Sequence, residues 1–591
     1  MKSRRPFTAF FSILILSALL LASTPTQPAY AADFSVSNAS ELITAINTAN
    51  TNSLDDVITL IADITLTNDD NNTDGPNGLP IILADSGHSL TIEGGGHTLA
   101  RSSAGGTPDF RIFYVDTGAE LTINQLTIEN GQLTNPGEYG GGIDNKGTLT
   151  VTGSTFSGNY VGNGPGGGIY NWGTLTVMDS TFSGNSATSG GGINNNSTLT
   201  LIVMGSTFFG NSATYGGGFY SSTPSGTCAS AAAAIISNST FSGNSGDTGG
   251  GIYNANGVTT LLFNTITANT SGGGLSSFND GVTCTKAGSN IIAGNMDYDL
   301  SAITTTQRFS SLGYNLVGVA GINIDYTQEF NQFGDQTDVT DPMLIPLANN
   351  GGPTQTHAIL PGSPARNAGD DTICALTPVN GKDQRRVTRP FEAHCDIGAY
   401  EFNTGTNTFQ SQATYDGWVL ESGEFTNQGG SMNNRGKVLE VGDDAFDRQF
   451  RAILSFDTAG IPDNAVITRV ILKVRRAGLV GANPLKTHNG LVVDIKKAKF
   501  YTRPTLQIND FQAKANKNKV GKFRNKLHSG WYRSVLYKGA NSYINKVGRT
   551  QFRLRFLLDD DDNNVADILK LYSGNAVMIK RPKLIINYYV P

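Results

Sequence analysis

The sequence predicts an all-β protein: a right-handed parallel β-helix followed by a β-sandwich domain of jelly-roll type. Three observations support this prediction: a recurring glycine-rich phrase, strand-like alternation inside each repeat, and a reversal of net charge near residue 408. The phrase GGGIDNKGTLTVTGSTFSGN (140–159) returns as GGGIYNWGTLTVMDSTFSGN (166–185). A period of about 25 residues is typical of solenoids, whose repeats contact mainly their neighbours.

Residues of one kind recur at fixed positions of the repeat. The position after the glycines holds Ile143, Ile169, Ile193, Phe219, Ile252 and Leu275, and a later position holds Phe156, Phe182, Phe208, Phe241 and Ile266. A third position holds Asn159, Asn185, Asn211, Asn244, Asn269 and Asn295. Equivalent residues of a β-helix stack about 4.8 Å apart. We therefore expect apolar columns inside and a structural ladder of Asn amides that hydrogen-bond from coil to coil.

The local pattern decides between helical and β repeats. The tetrapeptide TLTV (148–151 and 174–177) alternates polar with apolar residues, and glycine is too frequent for stable helices. Each repeat is therefore predicted to contain short strands joined by Gly and Asn turns. An amphipathic helix is predicted at 38–50, with Ser40 as a possible N-cap, and would cover the first coil.

The N-terminus predicts export. Basic residues precede an apolar run, and Ala29-Tyr30-Ala31 provides the small-x-small pattern of a cleavage site, so residues 1–31 are predicted to be a signal peptide. Residues 32–408 contain 10 Lys and Arg against 32 Asp and Glu, a net charge of −22. Residues 409–591 contain 29 against 16, a net charge of +13. This asymmetry indicates two domains with different partners, at an extracellular or cell-surface location.

Several phrases resemble known families. The GGGI and FSGN phrases are similar to the repeats of polymorphic outer-membrane proteins, which are adhesins. Residues 341–402 resemble the segment that ends the β-helix in choice-of-anchor Q proteins, through NGGPT, GSPA, DQR and DIGAYE. That family usually has glycine after DQR, whereas this chain has Arg386, so the turn there is expected to differ. The resemblance implies a pectin-lyase-like fold and a surface location.

The C-terminal part resembles a different family. The segments 441–458, 465–476, 550–556 and 581–591 look like a DNRLRE-type β-sandwich, whose relatives include carbohydrate-binding modules. Alternation in 550–556 independently indicates a half-buried strand. The predicted organisation is a signal peptide (1–31), a β-helix with its capping helix (32–340), a segment that ends the β-helix (341–402), a linker (403–412) and a sandwich (413–591).

Four cysteines in an exported chain can form disulfides. Cys374 and Cys395 are close in sequence and are the preferred pair. Cys228 and Cys284 each follow a Gly-Gly-Gly by the same distance and fall on corresponding loops. Whether these two are paired stays open, because one coil would lie between them.

Catalysis is the alternative to binding, because pectate-lyase-like β-helices include polysaccharide lyases and hydrolases. Elimination needs a positioned base, and hydrolysis needs carboxylates that converge on one face. The outward positions of the repeats are Thr, Ser and Asn, the coil carboxylates Asp144, Asp179 and Asp247 stand alone, and no histidine occurs between His97 and His357. The sequence therefore predicts no catalytic residue and favours a non-catalytic protein. A lyase or hydrolase with an appended carbohydrate-binding module is the alternative.

The basic segment 519–538 is the predicted carbohydrate-binding site. It interleaves cationic with aromatic side chains, which suit acidic sugars because rings stack on sugars while Lys and Arg neutralise carboxylates. The candidates are Lys522, Arg524, Lys526, Trp531, Tyr532 and Arg533. The alternative is a solvated loop whose aromatic residues belong to the core. The expected partner is an anionic polysaccharide; no nucleic-acid motif and no transmembrane segment is expected.

The run DDDDNN (559–564) is a candidate calcium loop. Carboxylate oxygens are the ligands that Ca²⁺ prefers, and the candidates are Asp559, Asp560, Asp561 and Asp562. The residues Asp443, Asp444 and Asp447 form a second, weaker candidate. The alternative is an acidic loop that only balances the neighbouring basic strand.

Overall fold

The computed structural model describes residues 33–222, 234–278, 285–303 and 309–590. The chain divides into two compact units, Met1–Glu401 and Phe402–Pro591. The predicted signal peptide, Cys228 and Cys284 lie outside the described residues. Among the residues described, no helix combines the length and the hydrophobicity needed to cross a bilayer.

The first unit is a parallel β-helix, as predicted, and its strands form four parallel sheets. The longest sheet consists of Asp33–Val36, Asp56–Leu60, Ser89–Glu93, Glu120–Asn124, Thr148–Thr152, Thr174–Met178, Leu201–Met204, Ala234–Ser237, Thr259–Leu262, Thr285–Gly288 and Phe309–Gly313. The next consists of Ile64–Leu66, Thr98–Arg101, Thr127–Glu129, Thr155–Ser157, Thr181–Ser183, Thr207–Phe209, Thr240–Ser242, Thr265–Thr267, Ile291–Ile292 and Leu316–Val317.

Two shorter parallel sheets complete the coils. One consists of Phe113–Val115, Ile143–Asn145, Ile169–Asn171, Ile193–Asn195, Phe219–Ser221, Ile252–Asn254, Leu275–Ser277 and Leu300–Ala302. The other consists of Gln132–Leu133, Tyr160–Val161, Ser186–Ser189 and Ser212–Tyr215. Because every strand pairs with its equivalents in the adjacent coils, sequence repeats become side-chain columns.

The aromatic column shows this register directly. Phe156 pairs with Phe182, and Phe182 pairs with Phe208. Their rings are stacked, with centroids 4.7 and 4.8 Å apart, and all three are fully buried. The column therefore fills the centre of the β-helix with stacked rings, because identical side chains recur at the strand spacing.

The Asn column lies beside it as a continuous hydrogen-bond ladder. The side-chain amide of Asn159 donates to Oδ1 of Asn185 (3.0 Å), and Asn185 donates to Asn211 (2.9 Å). The series continues in the same direction to Asn295, whose amide donates to Asp299 Oδ1 (2.7 Å). A second ladder reaches Asn315, whose amide donates to Asp335 (3.1 Å). Both ladders thus end on a carboxylate.

The N-terminal helix spans Ala39–Ala49 and buries Leu42, Ala45, Ile46 and Ala49 against the first coil's core. Its N-cap is Asn38 rather than the predicted Ser40: the Asn38 side chain accepts the Glu41 N–H at 3.1 Å. Asn38 has the extended backbone that an N-cap residue requires, whereas Ser40 already lies inside the helix.

Residues 341–401, here called the return segment, run back along the ten-stranded sheet instead of adding coils. Gln384 donates to the hydroxyl of Thr207 (2.9 Å), and His357 Nε2 lies 2.8 Å from the Ser242 hydroxyl. The short helix Asp371–Ala375 carries Cys374, which forms the predicted disulfide with Cys395. The chain thus covers one face of its own coils.

Arg386 stands in this segment where the resemblance has glycine. Its φ of +69° is in the left-handed region that glycine favours, so the turn forms despite the side chain. The guanidinium pairs with Asp179 of the coils. Arg386 therefore joins the return segment to the coils through an ion pair.

The second unit is a curled sheet with antiparallel pairing. Its strands are Asn403–Gln410, Gly417–Glu421, Gly429–Asn433, Val438–Asp443, Gln449–Asp457, Val466–Val480, Leu491–Lys497, Lys517–Lys522, Trp531–Val535, Arg549–Phe556, Asp567–Tyr572 and Lys583–Val590. Its helical turns are Ala413–Tyr415, Pro484–Thr487, Ile508–Asp510, Lys538–Tyr543 and Met578–Lys580. A buried apolar core lies inside the curl.

The residues expected to form a linker are part of this unit. Asn403–Gln410 is a strand that pairs along its whole length with Lys583–Val590. The polar composition of NTGTNTFQ suggested a linker, but an edge strand can be polar because one of its faces is solvated. The second unit therefore begins at Phe402.

Candidate functional site

A basic cleft lies on the second unit where the predicted carbohydrate-binding segment folds. The cleft has a volume of about 510 Å³. Its lining consists of Arg469, Lys522, Arg524, Lys526, His528, Arg533, Val535 and Tyr537. Five of these side chains are cationic and none is acidic, so the cleft is a concave surface of one charge sign.

Strand alternation places the cationic side chains in solvent. Phe523 is buried, so its neighbours Lys522 and Arg524 point outward. In the adjacent strand Tyr532 and Ser534 are buried, and Arg533 between them is exposed. The core residues of the segment therefore fix the direction of the basic ones.

Two neighbours shape the cleft further. The Lys522 stem crosses Gly490, which has a φ of +98°, and a Cβ at Gly490 would meet the Lys522 Cε at 2.3 Å. Glycine at this position is thus required for Lys522 to lie where it does. Lys473 faces Arg533 across the strand pair, which extends the positive surface beyond the cleft.

The two predicted aromatic ligands are not in the cleft. Tyr532 belongs to the apolar core and is 1% exposed, so a glycan does not reach it. Trp531 lies on the outer face beside the cleft, where its ring is 5.5 Å from the ammonium groups of both Lys473 and Lys583. The sequence showed aromatic residues in the segment but not which side of the sheet each one faces.

Four lining residues were absent from the predicted set: Arg469, His528, Val535 and Tyr537. Tyr537 is 63% exposed and offers the one aromatic ring of the lining. His528 lies in the turn before Trp531, and Arg469 comes from a strand about 60 residues earlier in the chain. Tyr537 could have been found from the same basic-aromatic pattern, whereas Arg469 depends on long-range strand pairing.

The coil carboxylates differ from expectation in one respect. Asp144 is not isolated: Arg111 Nη1 lies 3.5 Å from its Oδ2, and both side chains are fully buried. Burial raises the pKa of Asp144 to about 6, and the charges of Arg111 and Lys146 partly offset this rise. Neither carboxylate oxygen contacts solvent, so this pair lies inside the coils and does not reach a bound polymer.

Tyrosines also occupy the central position of several strands in the eight-stranded sheet, and Tyr114, Tyr170 and Tyr253 are buried there, at 4–6% exposure. Tyr114, Tyr170, Tyr220 and Tyr253 share one register column, interrupted by Asp144 and Asn194. Trp172, which is 42% exposed, lies beside Tyr170 with ring centroids 6.2 Å apart. The sequence predicted only Thr, Ser and Asn at the outward positions of the repeats; the strand register adds this column of largely covered tyrosines.

The four aspartates of the acidic run do not form one site. Among the described residues, only Asp561 of this run belongs to a group of metal-ligating side chains, with His488 and Asp567. Burial and the charge of Asp559 raise the pKa of Asp560 to about 6, and Asp559 and Asp562 are exposed. In the weaker candidate, Asp444 pairs with Arg448 (2.5 Å) and Asp447 accepts the Asn564 N–H (3.1 Å).

Comparison with known proteins gives a matching family model and matching solved structures. A family model for a pectate lyase-like adhesive domain matches residues 34–161, which lie within the coils. Among solved structures, the chain resembles the enzymatically active domain of tailspike protein 4 from bacteriophage CBA120, at 10% identity and a TM-score of 0.21. That match covers 93% of this chain and 66% of the tailspike domain, just under two thirds. No curated protein matches significantly.

Proposed function

We propose that this chain is an exported adhesive protein that binds anionic polysaccharide in the basic cleft of its second unit. The observation that carries the proposal is the cleft lining: five cationic side chains, no acidic one and an exposed Tyr537 ring. The match of residues 34–161 to a pectate lyase-like adhesive domain supports adhesion. The tailspike similarity has too low a TM-score to support any part of it.

The cleft suits a polymer of acidic sugars on chemical grounds. Guanidinium groups form paired hydrogen bonds with carboxylates or sulfates, and ammonium groups add attraction with less demand on geometry. Tyr537 offers a ring face for a sugar. Because the cationic groups are exposed, binding should weaken steeply as ionic strength rises. In this proposal the second unit is the DNRLRE-type sandwich and residues 341–402 are the choice-of-anchor Q segment.

The test uses full-length protein in affinity gels that contain alginate, polygalacturonate or a neutral glucan. Wild-type protein is expected to be retarded by the two polyanions, with retardation lost between about 50 mM and about 500 mM salt. The double variant R524Q/K526Q removes two exposed cleft charges and should weaken retardation at least about tenfold, because each charge-assisted contact contributes about 1 kcal/mol.

The matched control is R435Q/K437Q, which removes two exposed basic residues that do not line the cleft. It should bind like wild type. Absence of retardation on both polyanions at low salt, or equal losses in the two double variants, would contradict the proposal. Equal retardation by the neutral glucan would contradict its anionic part.

A lyase or hydrolase activity is the alternative use of a β-helix of this kind. The structure favours binding, because the Asp144 carboxylate is sealed from solvent and Asp179 is neutralised by Arg386. Incubation of the full-length protein with uronate polymers, with and without Ca²⁺, should release neither ultraviolet-absorbing nor reducing ends. Sustained release of either would overturn the non-catalytic part of the proposal.

A further inference from the structure

Four titratable side chains from separate segments converge at one end of the second unit's sheet. We call Asp443, His488, Asp561 and Asp567 the carboxylate-imidazole cluster. Asp443 ends the strand Val438–Asp443 and is the register partner of Asp567, which begins Asp567–Tyr572. His488 follows the short helix Pro484–Thr487, and Asp561 lies in the loop before Asp567. His488, Asp561 and Asp567 offer ligand atoms within 4.8 Å of one another.

Each carboxylate of the cluster has one oxygen that is buried and has no hydrogen-bond donor: Asp443 Oδ2, Asp561 Oδ1 and Asp567 Oδ2. The side chains of Asp443 and Asp567 are almost completely buried, at 0% and 1% exposure. A buried carboxylate oxygen without a partner is costly, because it has lost its hydration. Three such oxygens in one place indicate a ligand that supplies positive charge.

The remaining oxygens of the two buried carboxylates hold them in place. Asp443 Oδ1 lies 2.9 Å from His488 Nε2, and Asp567 Oδ1 accepts the Ala482 N–H at 2.6 Å. A Cβ at Gly481 would meet Asp567 Oδ1 at 2.2 Å, so glycine makes room for this contact. Asp443, His488 and Asp567 are therefore held by the protein itself before any ligand binds.

The charge of the cluster is not balanced by the protein. Among the described residues, His488 is the one basic side chain that forms an ion pair with any of these three carboxylates. Even a protonated imidazole leaves a net charge of about −2, which matches a divalent cation. The neighbouring Lys and Arg side chains of the sheet pair elsewhere, as Arg448 does with Asp444.

We infer that the carboxylate-imidazole cluster binds a divalent metal ion, with Asp561 and Asp567 as oxygen ligands and Asp443 completing the site directly or through His488. The acidic run 559–564 thus contributes one ligand rather than four. Because the ligands come from segments far apart in sequence, the ion would fix the loop 557–566 to the sheet and stabilise the folded second unit.

The test is calorimetric titration of the full-length, chelator-treated protein with Ca²⁺, Mn²⁺ and Zn²⁺, together with the midpoint of thermal unfolding. One equivalent of at least one ion should bind and raise the midpoint. A preference for Ca²⁺ or Mn²⁺ identifies an oxygen site, whereas a preference for Zn²⁺ places His488 among the ligands.

The deciding variant is Asp561→Asn, which removes the charge of one proposed ligand. Asp561 is more exposed than Asp567, so the fold should tolerate this change better than a change at Asp567. It should weaken binding at least about tenfold, in line with loss of one charged ligand. The control Asp562→Asn changes the adjacent, exposed acid and should bind like wild type. The inference is overturned if none of the three ions binds stoichiometrically, if Asp561→Asn binds as wild type, or if both variants lose affinity equally.

Discussion

The coils of the first unit and the second unit bury polar side chains in opposite ways. In the coils, the buried polar side chains are chiefly neutral amides and hydroxyls that repeat from one coil to the next. In the second unit they include charged residues that occur once each, such as the ion-paired Asp494 and Arg553. Both interiors exclude water, so every buried polar group needs a partner inside the protein. The coils and the second unit provide these partners with different residue types.

Asn185 illustrates the solution in the coils. Its amide nitrogen donates to Asn211 Oδ1 (2.9 Å) and to the Phe156 carbonyl (3.0 Å). Its carbonyl oxygen accepts from both the backbone and the side chain of Asn159, each at 3.0 Å. A side-chain amide both donates and accepts hydrogen bonds. Asn residues stacked at the strand spacing can therefore bond to one another without any other residue type.

Asp494 illustrates the solution in the second unit. Arg553 Nη2 and Arg555 Nε both lie 3.0 Å from its Oδ2, and its Oδ1 accepts the Lys519 N–H at 3.0 Å. Burial acts to raise the pKa of Asp494, but the two guanidinium groups outweigh this effect and leave the pKa lowered. A structure without repeats has no equivalent neighbour to bond with, so this unit depends on specific ion pairs.

The largest expected effect comes from breaking the ion pair in the second unit. Asp494→Asn leaves the Arg553 guanidinium buried without its counter-charge, which should lower the free energy of unfolding by about 4 kcal/mol. Hydrogen exchange followed by mass spectrometry, with peptides from the second unit, measures this change. The coil peptides should keep their protection, and the exposed control Asp463→Asn should change stability by less than about 0.5 kcal/mol. A loss below about 1 kcal/mol would mean that the ion pair is not what stabilises this interior.

A smaller effect is expected from the coils. Asn185→Ala removes the partners of the Asn159 amides and of the Phe156 carbonyl, which should cost about 3 kcal/mol because these groups stay buried. Exchange should speed up in peptides of the adjacent coils and much less in distant ones, since repeats are coupled mainly to their neighbours. The exposed Thr188→Ala is the control. Uniform loss of protection along all coils would contradict the idea that the Asn hydrogen bonds of each coil depend only on the adjacent coils.

The smallest expected effect is a pH dependence confined to the second unit. Burial raises the pKa of Asp510 to about 6, against about 4 in an unfolded chain. Between these values the folded state keeps a proton that the unfolded state has lost, so the Asp510 contribution to stability falls as pH rises. Asp510→Asn should therefore gain about 1–2 kcal/mol relative to wild type between pH 4 and pH 7.

Denaturant unfolding at several pH values, monitored through the second unit, measures the Asp510 effect. The fold should accept the Asp510→Asn change because Asp510 Oδ2 takes the Gln507 N–H (2.8 Å) while its Oδ1 has no donor. A difference between variant and wild type that stays constant with pH would show that the folded-state pKa is not raised.

The coils were predictable because their information is local and repeated. The spacing of Phe156, Phe182 and Phe208 fixes both the strand register and the stacked core, and no long-range contact has to be guessed. The Asn column follows from the same spacing. The exception is Arg111, which reaches Asp144 of the next coil outside the repeated pattern.

The second unit was predictable in class but not in detail. Alternation in 550–556 indicated a strand, and the basic segment indicated where an anion could bind. The side of the sheet that Tyr532 faces, and the approach of Arg469, depend on pairings between strands far apart in the chain. The convergence of Asp443, His488 and Asp567 was not predicted for the same reason: the sequence around each residue contains no signal that the other two lie nearby.

The amide ladder from Asn159 to Asn295 and the ladder that reaches Asn315 both have a direction, and they are closed by Asp299 and Asp335 respectively. A carboxylate only accepts, so it ends a series in which every earlier member also donates. Duplication or deletion of a whole coil upstream would leave these closing residues untouched. A change in the number of coils upstream of those that the return segment contacts would therefore alter the length of the β-helix without altering either closing residue.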